Sequence, residues 1–304
     1  MTSARPPAIA RANAWRAAAG RLQQSVMRLA AVALVLALVG DLTAQQLPTA
    51  IPQTKFVSGQ NVVPYFEGWI RNADGSFDLV FGYFNRNWQE ELAIPSGPDN
   101  RFEPGAPDRG QPTYFLPRRQ GWVFRVRVPA DFGKQVLTWT VKANGKSETA
   151  YGELLPIEEI TERIIMTRGN LNPGEGDPNK APAIAITAAA TATVGQPVSL
   201  TARVTDDGLP KPRVPVQRTA ATDATRIQAQ ANSSAAPRPR GLTVSWMQLR
   251  GPAKVTFDAA GPNPVAGGAV VTAARFPSPG LYTVRATAND GALSTKSDVT
   301  ITVQ

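Results

Sequence analysis

The sequence predicts an all-β protein in which two β-sandwich domains stand in tandem after an N-terminal signal peptide. Three observations lead to this prediction. Short runs of alternating apolar and polar residues, typical of strands with one buried face, recur along the chain. Turn-forming Asn, Asp, Gly and Pro residues separate these runs. A 12-residue apolar segment lies near the start of a chain of 304 residues, which is long enough for two such domains.

The apolar segment, residues 29–40, follows several arginines. A membrane-spanning helix needs roughly 20 apolar residues, so this shorter run is interpreted as the core of a signal peptide over residues 1–44, cleaved after Ala44. An uncleaved membrane anchor is the alternative, and Met27 could be the true start. We therefore expect an exported protein, in the periplasm, at the cell surface or outside the cell, with no membrane insertion after cleavage.

The composition excludes several kinds of chemistry. The chain has no Cys and no His, so disulfides, thiolate nucleophiles, cysteine metal sites and serine–histidine catalysis are ruled out. The net charge of +9 falls to +5 beyond residue 44, where 27 Lys and Arg face 22 Asp and Glu. Residues 209–240 alone carry six Lys and Arg and one Asp. Because the excess lies in these two segments, we expect no nucleic-acid partner.

The first domain is predicted over residues 61–155, after a polar linker over 45–60. Sixteen of the 22 aromatic residues lie between positions 61 and 160, which indicates a separate core. Turns are expected at 72–75 and at Asn144–Gly145. The predicted strands are Tyr65–Arg71, Phe77–Phe84, Thr113–Leu116, Trp122–Val128, Val136–Val141 and Glu148–Leu154.

A long segment with six prolines, residues 94–120, joins the second and third of these strands. Long loops inside compact domains are often functional, and planar Arg side chains with exposed aromatics can engage carboxylates or sugar rings. The simpler interpretation is a surface loop whose arginines pair with neighbouring carboxylates. The candidate binding surface in and beside this segment is Trp88, Arg101, Arg109, Arg118 and Arg119.

The first domain carries the segments PYFEGW, DGSFDLVFGYFNRN, GQPTYFLPRRQ and VFRVRVPADFG. Through these it resembles an uncharacterised family of exported bacterial proteins. The resemblance covers about a third of the chain and implies no known activity.

A linker is predicted over residues 156–182, followed by a second domain over 183–304 with a flexible insertion at 209–240. Seven short strands, with Trp246 as a core residue in the third and Tyr282 as a corner residue in the sixth, fit an immunoglobulin-like sandwich. These strands are Ile184–Thr187, Pro197–Thr205, Leu242–Leu249, Lys254–Phe257, Val270–Phe276, Leu281–Ala288 and Asp298–Val303.

Three stretches, VGQPVSLTARVTDDGLP, LTVSWMQLRGPAKVTF and FPSPGLYTVRATANDG, resemble polycystic-kidney-disease-type and related bacterial immunoglobulin-like modules. The WxFGDG segment of the best-known form is replaced here by WMQLRGP. The resemblance implies a spacer, adhesion or recognition unit of an exported protein.

Oxygen ligands for a metal are predicted at one end of the second sandwich. Asp206 and Asp207 follow its second strand, and Asn289 and Asp290 follow its sixth. These loops lie at the same end of an immunoglobulin-like fold, and Ca²⁺ needs 6 to 8 oxygen ligands. The alternative is that TDDG and ANDG are only turns, where Asp and Asn are favoured. No other cofactor is expected.

These features favour a non-catalytic binding or structural protein of the cell envelope that recognises a protein or a glycan. The alternative is a carboxylate-dependent polysaccharide hydrolase, or an accessory subunit of one, with its acid and base among Glu67, Asp78, Glu90 and Glu91. Such a pair must face one cleft at roughly 5 to 9.5 Å, and two small sandwiches offer little room for it. We therefore expect no enzymatic activity.

Overall fold

Alternating apolar and polar residues form seventeen strands in the part of the chain that the computed structural model describes, residues 55–169, 178–211 and 241–304. The predicted signal peptide and residues 212–240 of the predicted insertion lie outside these ranges. The strands are β1 Val62–Arg71, β2 Phe77–Asn85, β3 Leu92–Ala93, β4 Asn100–Glu103, β5 Tyr114–Phe115, β6 Arg118–Val128, β7 Leu137–Ala143, β8 Lys146–Gly152, β9 Ala183–Thr187, β10 Thr191–Ala192, β11 Pro197–Thr205, β12 Thr243–Arg250, β13 Thr256–Phe257, β14 Asn263–Pro264, β15 Ala269–Arg275, β16 Gly280–Asn289 and β17 Ser294–Val303.

The first sandwich consists of two three-stranded sheets, in the orders β1-β2-β6 and β4-β7-β8, with β3 and β5 as a short extra pair. All but one of the pairings are between antiparallel strands, the exception being β10 with β17 in the second sandwich. Phe81 lies at the centre of the core, with its ring centroid 5.3 Å from that of Phe102, 5.6 Å from Phe124 and 6.0 Å from Trp139. The aromatic residues therefore form the core that the sequence predicted.

The proline-rich segment 94–120 is more ordered than a surface loop. It contains β4, which pairs with β7 and was not predicted, because a strand of four residues between prolines gives little periodicity. Asn100 is fully buried there. Its Nδ2 donates to the carbonyls of Ile94 at 2.9 Å and Pro112 at 2.8 Å, and its Oδ1 accepts from Trp139 Nε1 at 2.9 Å. One amide side chain thus links Ile94 and Pro112 of the segment to Trp139 of the core.

Strand β6 departs from strict alternation at its middle. Trp122 has a φ of 47°, which is rare for a bulky residue, and the pairing with β2 shifts register between Phe81 and Tyr83. From Phe124 to Val128 buried and exposed residues alternate, but Val123 is buried as well as its neighbour Phe124. The second sandwich covers this part of β6.

The second sandwich is immunoglobulin-like, with sheets in the orders β10-β17-β16-β12-β14 and β13-β15-β11-β9. Trp246 is buried in its core, as predicted. The Tyr282 hydroxyl donates to the carbonyl of Ser278 at 3.0 Å, four residues back along the chain, which confirms the predicted corner residue.

The first part of the predicted linker packs against the first sandwich. A 3₁₀ turn at Pro156–Glu158 leads to helix α1, Glu162–Met166, whose N-cap Thr161 accepts from the Ile164 amide through its side chain. Ile160 donates its amide to the Trp69 carbonyl at 2.9 Å, and Ile165 of α1 forms a small apolar cluster with Ile70 and Val80. The outer face of β1 and β2 is thereby covered.

The two sandwiches touch directly, within one compact unit spanning residues 55–304. Leu249 of β12 belongs to the core cluster of the first sandwich. Thr113 donates its amide to the Leu249 carbonyl at 3.1 Å, and its hydroxyl accepts from the Gly251 amide at 3.0 Å. Ion pairs join Arg250 to Asp108 and, at 2.7 Å, Lys254 to Glu91. The two sandwiches share an apolar contact in the described part of the chain. The division of the chain into two independent domains at residues 156–182 therefore stays a prediction.

Candidate functional site

Trp88 lies just beyond the end of β2 with 38% of its surface exposed. Two cations flank its ring: Arg118 Cζ is 4.2 Å and Lys55 Nζ 4.6 Å from the ring centroid. Both distances are within the range of cation–π attraction. We call Lys55, Trp88 and Arg118 the Trp88 surface.

The chain beneath the Trp88 surface is held by buried amides. Asn85 donates from Nδ2 to the carbonyls of Glu90 at 2.8 Å and Phe115 at 3.1 Å, and its Oδ1 accepts from the Asn87 backbone and side chain. Trp88 itself donates its amide to the Phe56 carbonyl at 2.9 Å. The indole is therefore exposed on a backbone that is fixed at several points.

Arg119 is next to this surface and is occupied by an ion pair. Strand pairing places Arg118 opposite Asn85 and Arg119 opposite Phe84. Arg119 Nη2 is 2.8 Å from Glu67 Oε2, and only 7% of the Glu67 side chain is exposed. Burial raises the pKa of Glu67, although the Arg119 guanidinium opposes the shift. Arg119 thus neutralises a buried carboxylate.

The other two predicted surface arginines lie in the other part of the first sandwich. Arg101 is on β4, in the sheet with β7 and β8; its Nη1 donates to the Pro98 carbonyl at 2.5 Å and its Nε lies 3.4 Å from Glu103. Arg109 donates to the carbonyls of Pro104 and Ala106. Arg101 thus pairs with a neighbouring carboxylate, as in the simpler interpretation, whereas Arg109 donates to backbone carbonyls of its own segment.

Lys55 was not among the predicted residues. It reaches Trp88 because Phe56 and Val57 pair through backbone hydrogen bonds with residues 88–90. The polar, proline-punctuated lead before residue 61 gives no strand periodicity, so the sequence carried no signal for this contact.

The four carboxylates of the hydrolase alternative all have structural partners. Burial raises the pKa of Asp78, but hydrogen bonds from Arg127 and Asn72 outweigh burial and hold the pKa below its usual range. Glu91 accepts from the Tyr114 hydroxyl at 2.6 Å and from Lys254, and Glu90 accepts from the Gly59 amide at 2.7 Å. With Glu67 held by Arg119, each carboxylate contributes to packing or strand connection.

The predicted metal ligands lie at one end of the second sandwich, as expected. Asp206 and Asp290 line a common cavity of about 390 Å³. Burial raises the pKa of Asp206, and the nearby carboxylates of Asp290 and Asp207 raise it further. The two loops therefore bring acidic oxygens together.

Most of these oxygens already accept hydrogen bonds from backbone amides. Asp290 Oδ1 accepts from Ala292 and Leu293, both at 2.7 Å. The neighbouring turns follow the same pattern, since Asp206 Oδ2 accepts from Gly208 at 3.0 Å, both Asp207 oxygens accept from backbone amides, and Asn289 Oδ1 accepts from Gly291 at 2.9 Å. Within the described ranges, no group of three or more His, Cys, Asp or Glu side chains is placed to hold a metal. The calcium site, which also counts an asparagine, stays a prediction.

No helix in the described part of the chain is long and apolar enough to cross a membrane. A cavity between the sandwiches is lined by four cations, among them Lys296, whose pKa is lowered to about 7 by burial and by neighbouring arginines.

Comparison with known proteins gives a likeness of fold only. No protein-family model and no curated protein matches the chain. Among solved structures, the D00–D0 domain of intimin is 12% identical at a TM-score of 0.26, over 79% of this chain and 99% of that one. Drosophila N-cadherin EC1–4 is 15% identical at 0.25, over 80% and 51%. An endo-fucoidan hydrolase of glycoside hydrolase family 107 is 14% identical at 0.24, over 83% and 27%. Scores this low carry no argument about function, and the fold class rests on the strands themselves.

Proposed function

We propose that this protein is an exported, non-catalytic recognition protein of the cell envelope, which binds a glycan or a protein through the Trp88 surface. The observation that carries the proposal is an exposed indole held between two cations on a fixed backbone. Aromatic rings provide apolar contact area at a small entropic cost, and Arg adds planar hydrogen bonding to carboxylates or sulfates. A ligand with both an apolar face and an anionic group would suit this pair.

The arrangement of the acidic residues supports a non-catalytic role. A glycosidase needs two carboxylates that face one cleft and differ in protonation. Here Glu67, Asp78 and Glu91 are each engaged by a cation. A general acid among them would have to give up an ion pair that joins strands or sandwiches.

Export rests on the signal peptide predicted over residues 1–44. The absence of Cys and His fits a role that does not depend on redox or acid–base chemistry.

The test is a glycan array probed with the full chain, run beside affinity capture from envelope extract. We expect specific capture that is lost in Trp88→Ala and weakened in Arg118→Gln. Tyr151→Ala is the matched control, because Tyr151 is an exposed aromatic residue on β8, in the other sheet of the first sandwich. Capture that survives Trp88→Ala, or hydrolysis of an arrayed glycan, would contradict the proposal.

A further inference from the structure

The space between the two sandwiches contains a cavity of about 340 Å³, and the described residues that line it include four cations and no carboxylate. The cations are Arg119 of β6, Arg168 just after α1, Arg285 of β16 and Lys296 of β17. We call this cavity the cationic cleft. A neighbouring cavity of about 490 Å³ shares Trp122, Arg285 and Lys296 with it and adds Arg125, Glu162 and Asp298.

Strand register explains how the wall of the second sandwich is built. Ser245 of β12 is opposite Thr287 of β16, which is opposite Lys296 of β17. Directly opposite residues point to the same face of a sheet. Two hydroxyls and an ammonium therefore lie in a row on the face that meets the first sandwich.

The cations differ in how far they are already neutralised. Arg119 pairs with Glu67, and Arg285 binds both oxygens of Asp298 while donating to the Val123 carbonyl. Lys296 donates to the Trp122 carbonyl at 2.6 Å, and no carboxylate of the described residues forms an ion pair with it. Arg168 has no carboxylate partner in the described part of the chain either. Arg168, and Lys296 when it is protonated, thus line the cleft without an ion-pair partner among the described residues.

A further donor lies at the same place. Trp122 lines both cavities, and its buried indole Nε1 has no hydrogen-bond partner among the described residues. A buried donor without a partner is costly, and native structures seldom leave one so. Its backbone φ of 47° is also unusual for a Trp. An acceptor that reached this nitrogen when a ligand enters the cleft would satisfy the donor.

We propose that the cationic cleft binds a small oxyanion, a carboxylate or sulfate group, between Arg168 and Lys296. Its volume lies in the range of small-ligand sites and suits a single acidic sugar unit or an inorganic anion. Hydrogen bonds from charged donors to an oxyanion are short and strong. Met247 and Ile165 supply apolar walls for the rest of such a ligand.

Electrostatics of Lys296 agree with this assignment. Burial, together with Arg285, Arg125 and Arg168, lowers the pKa of Lys296 to about 7, and Asp298 opposes the shift. A bound anion would favour the protonated amine. The carboxylates on the other elements that face this region, Glu67 of β1 and Glu162 of α1, are engaged by Arg119 and Arg125.

The site uses different residues from the Trp88 surface and does not depend on the function proposed above. Either one can fail while the other stands, because Trp88→Ala leaves the cationic cleft unchanged.

The test is calorimetric titration of the full chain with sodium sulfate and, separately, with sodium glucuronate, at constant ionic strength. We expect saturable binding of at least one of the two. The affinity should fall about tenfold or more in Arg168→Gln, the loss expected for one charge-assisted hydrogen bond. Lys296→Gln should weaken binding similarly. Arg203→Gln, which removes an exposed charge from β11 outside the cleft, should bind like the natural chain.

The two titrants separate the sources of the oxyanion. Binding of sulfate alone would assign an inorganic anion, and preference for glucuronate would assign an acidic sugar. As an independent measurement, the indole N–H resonance that disappears in Trp122→Phe should shift when the anion is added. Should Lys296→Gln fail to fold, Arg168→Gln decides, because Arg168 is exposed. No saturable binding of either anion, or equal affinity in Arg168→Gln and Arg203→Gln, would overturn the proposal.

Discussion

At the residue scale, Glu67 shows how one buried carboxylate shapes the backbone around it. β1 shifts register between Phe66 and Gly68, and Glu67 sits at this irregularity. A Cβ added at Gly82 would overlap Glu67 Oε1 and lie 2.6 Å from the Gln120 carbonyl. Glycine at position 82 therefore makes room for the Glu67–Arg119 ion pair.

We predict that Gly82→Ala destabilises the fold by about 1–3 kcal/mol, the usual cost of inserting a methyl group into a packed region. Urea unfolding followed by fluorescence measures this. Gly121→Ala is the control, because its Cβ would lie 3.6 Å from the same Glu67 oxygen, an ordinary contact. Equal stability of the two variants would show that the neighbours of Gly82 yield at little cost.

A second prediction at the residue scale concerns Lys296 and the pH dependence of stability. Its pKa is about 7 in the folded chain, against an ordinary value of 10.5. Between these values the unfolded chain binds a proton that the folded chain does not, so this residue makes stability increase with pH. Below about pH 7 both the folded and the unfolded chain bind this proton, so the unfavourable contribution of Lys296 to the free energy of unfolding is at its maximum and no longer changes with pH.

The measurement compares the natural chain with Lys296→Met. We expect the unfolding midpoint of the natural chain to rise relative to the variant from about pH 7 to about pH 9. Taking the difference cancels ionisations common to both proteins. A pH-independent difference would mean that the amine stays charged through this range.

At the element scale, strands with one buried face are the part of the fold that sequence reasoning found. β11 has the predicted bounds, Pro197–Thr205, because its alternation is uninterrupted and turns flank it. β4 and β14 were missed, since strands of two to four residues have too few positions to display a period. Their place is fixed by partners distant in sequence, such as Trp139 for β4.

The candidate site was predictable only in part, for a related reason. Trp88 and Arg118 could be proposed from residue type, and strand pairing brings them together. Arg285, by contrast, was not proposed, because it is buried only where the two sandwiches meet: 7% of it is exposed, and it donates to the Val123 carbonyl of the first sandwich. Local periodicity indicates which residues of a strand lie on the same face, but it does not indicate which other part of the protein packs against that face.

The turns after β11 and β16 carry the calcium prediction. If Asp206, Asp207, Asn289 and Asp290 bind Ca²⁺, calorimetric titration should give a saturable heat at millimolar levels or below. Asp206→Asn should weaken it, whereas Asp258→Asn, which alters an exposed carboxylate paired with Arg275, should not. Absence of heat at millimolar Ca²⁺ would leave these residues as turn formers, the role in which most of their oxygens already accept hydrogen bonds from backbone amides.

At the scale of the whole molecule, the contact between the sandwiches should couple their stabilities. Leu249 is carried by β12 but packs in the core cluster of the first sandwich. We predict that Leu249→Ala costs about 2–5 kcal/mol, as other buried Leu truncations do. Hydrogen exchange should accelerate in β7 and in β16 together, because Leu249 packs in the core of the first sandwich while its strand β12 pairs with β16 of the second.

Leu200→Ala is the control, since Leu200 is fully buried among residues of the second sandwich alone. It should accelerate exchange first in β11 and β15. If Leu249→Ala changed exchange in only one sandwich, the two would be energetically separate despite their contact.

The contacts between the sandwiches also have a mechanical consequence. Several strands of both sandwiches contribute polar contacts across the joint. These contacts are the Arg250–Asp108 and Lys254–Glu91 ion pairs, the Thr113 hydrogen bonds and the hydrogen bond from Lys296 to Trp122. A force that pulls one sandwich away from the other would load these bonds in parallel, so that none carries the tension alone. The contact region would therefore be mechanically stiff. A force applied to one sandwich would be transmitted to the other without hinge motion between them.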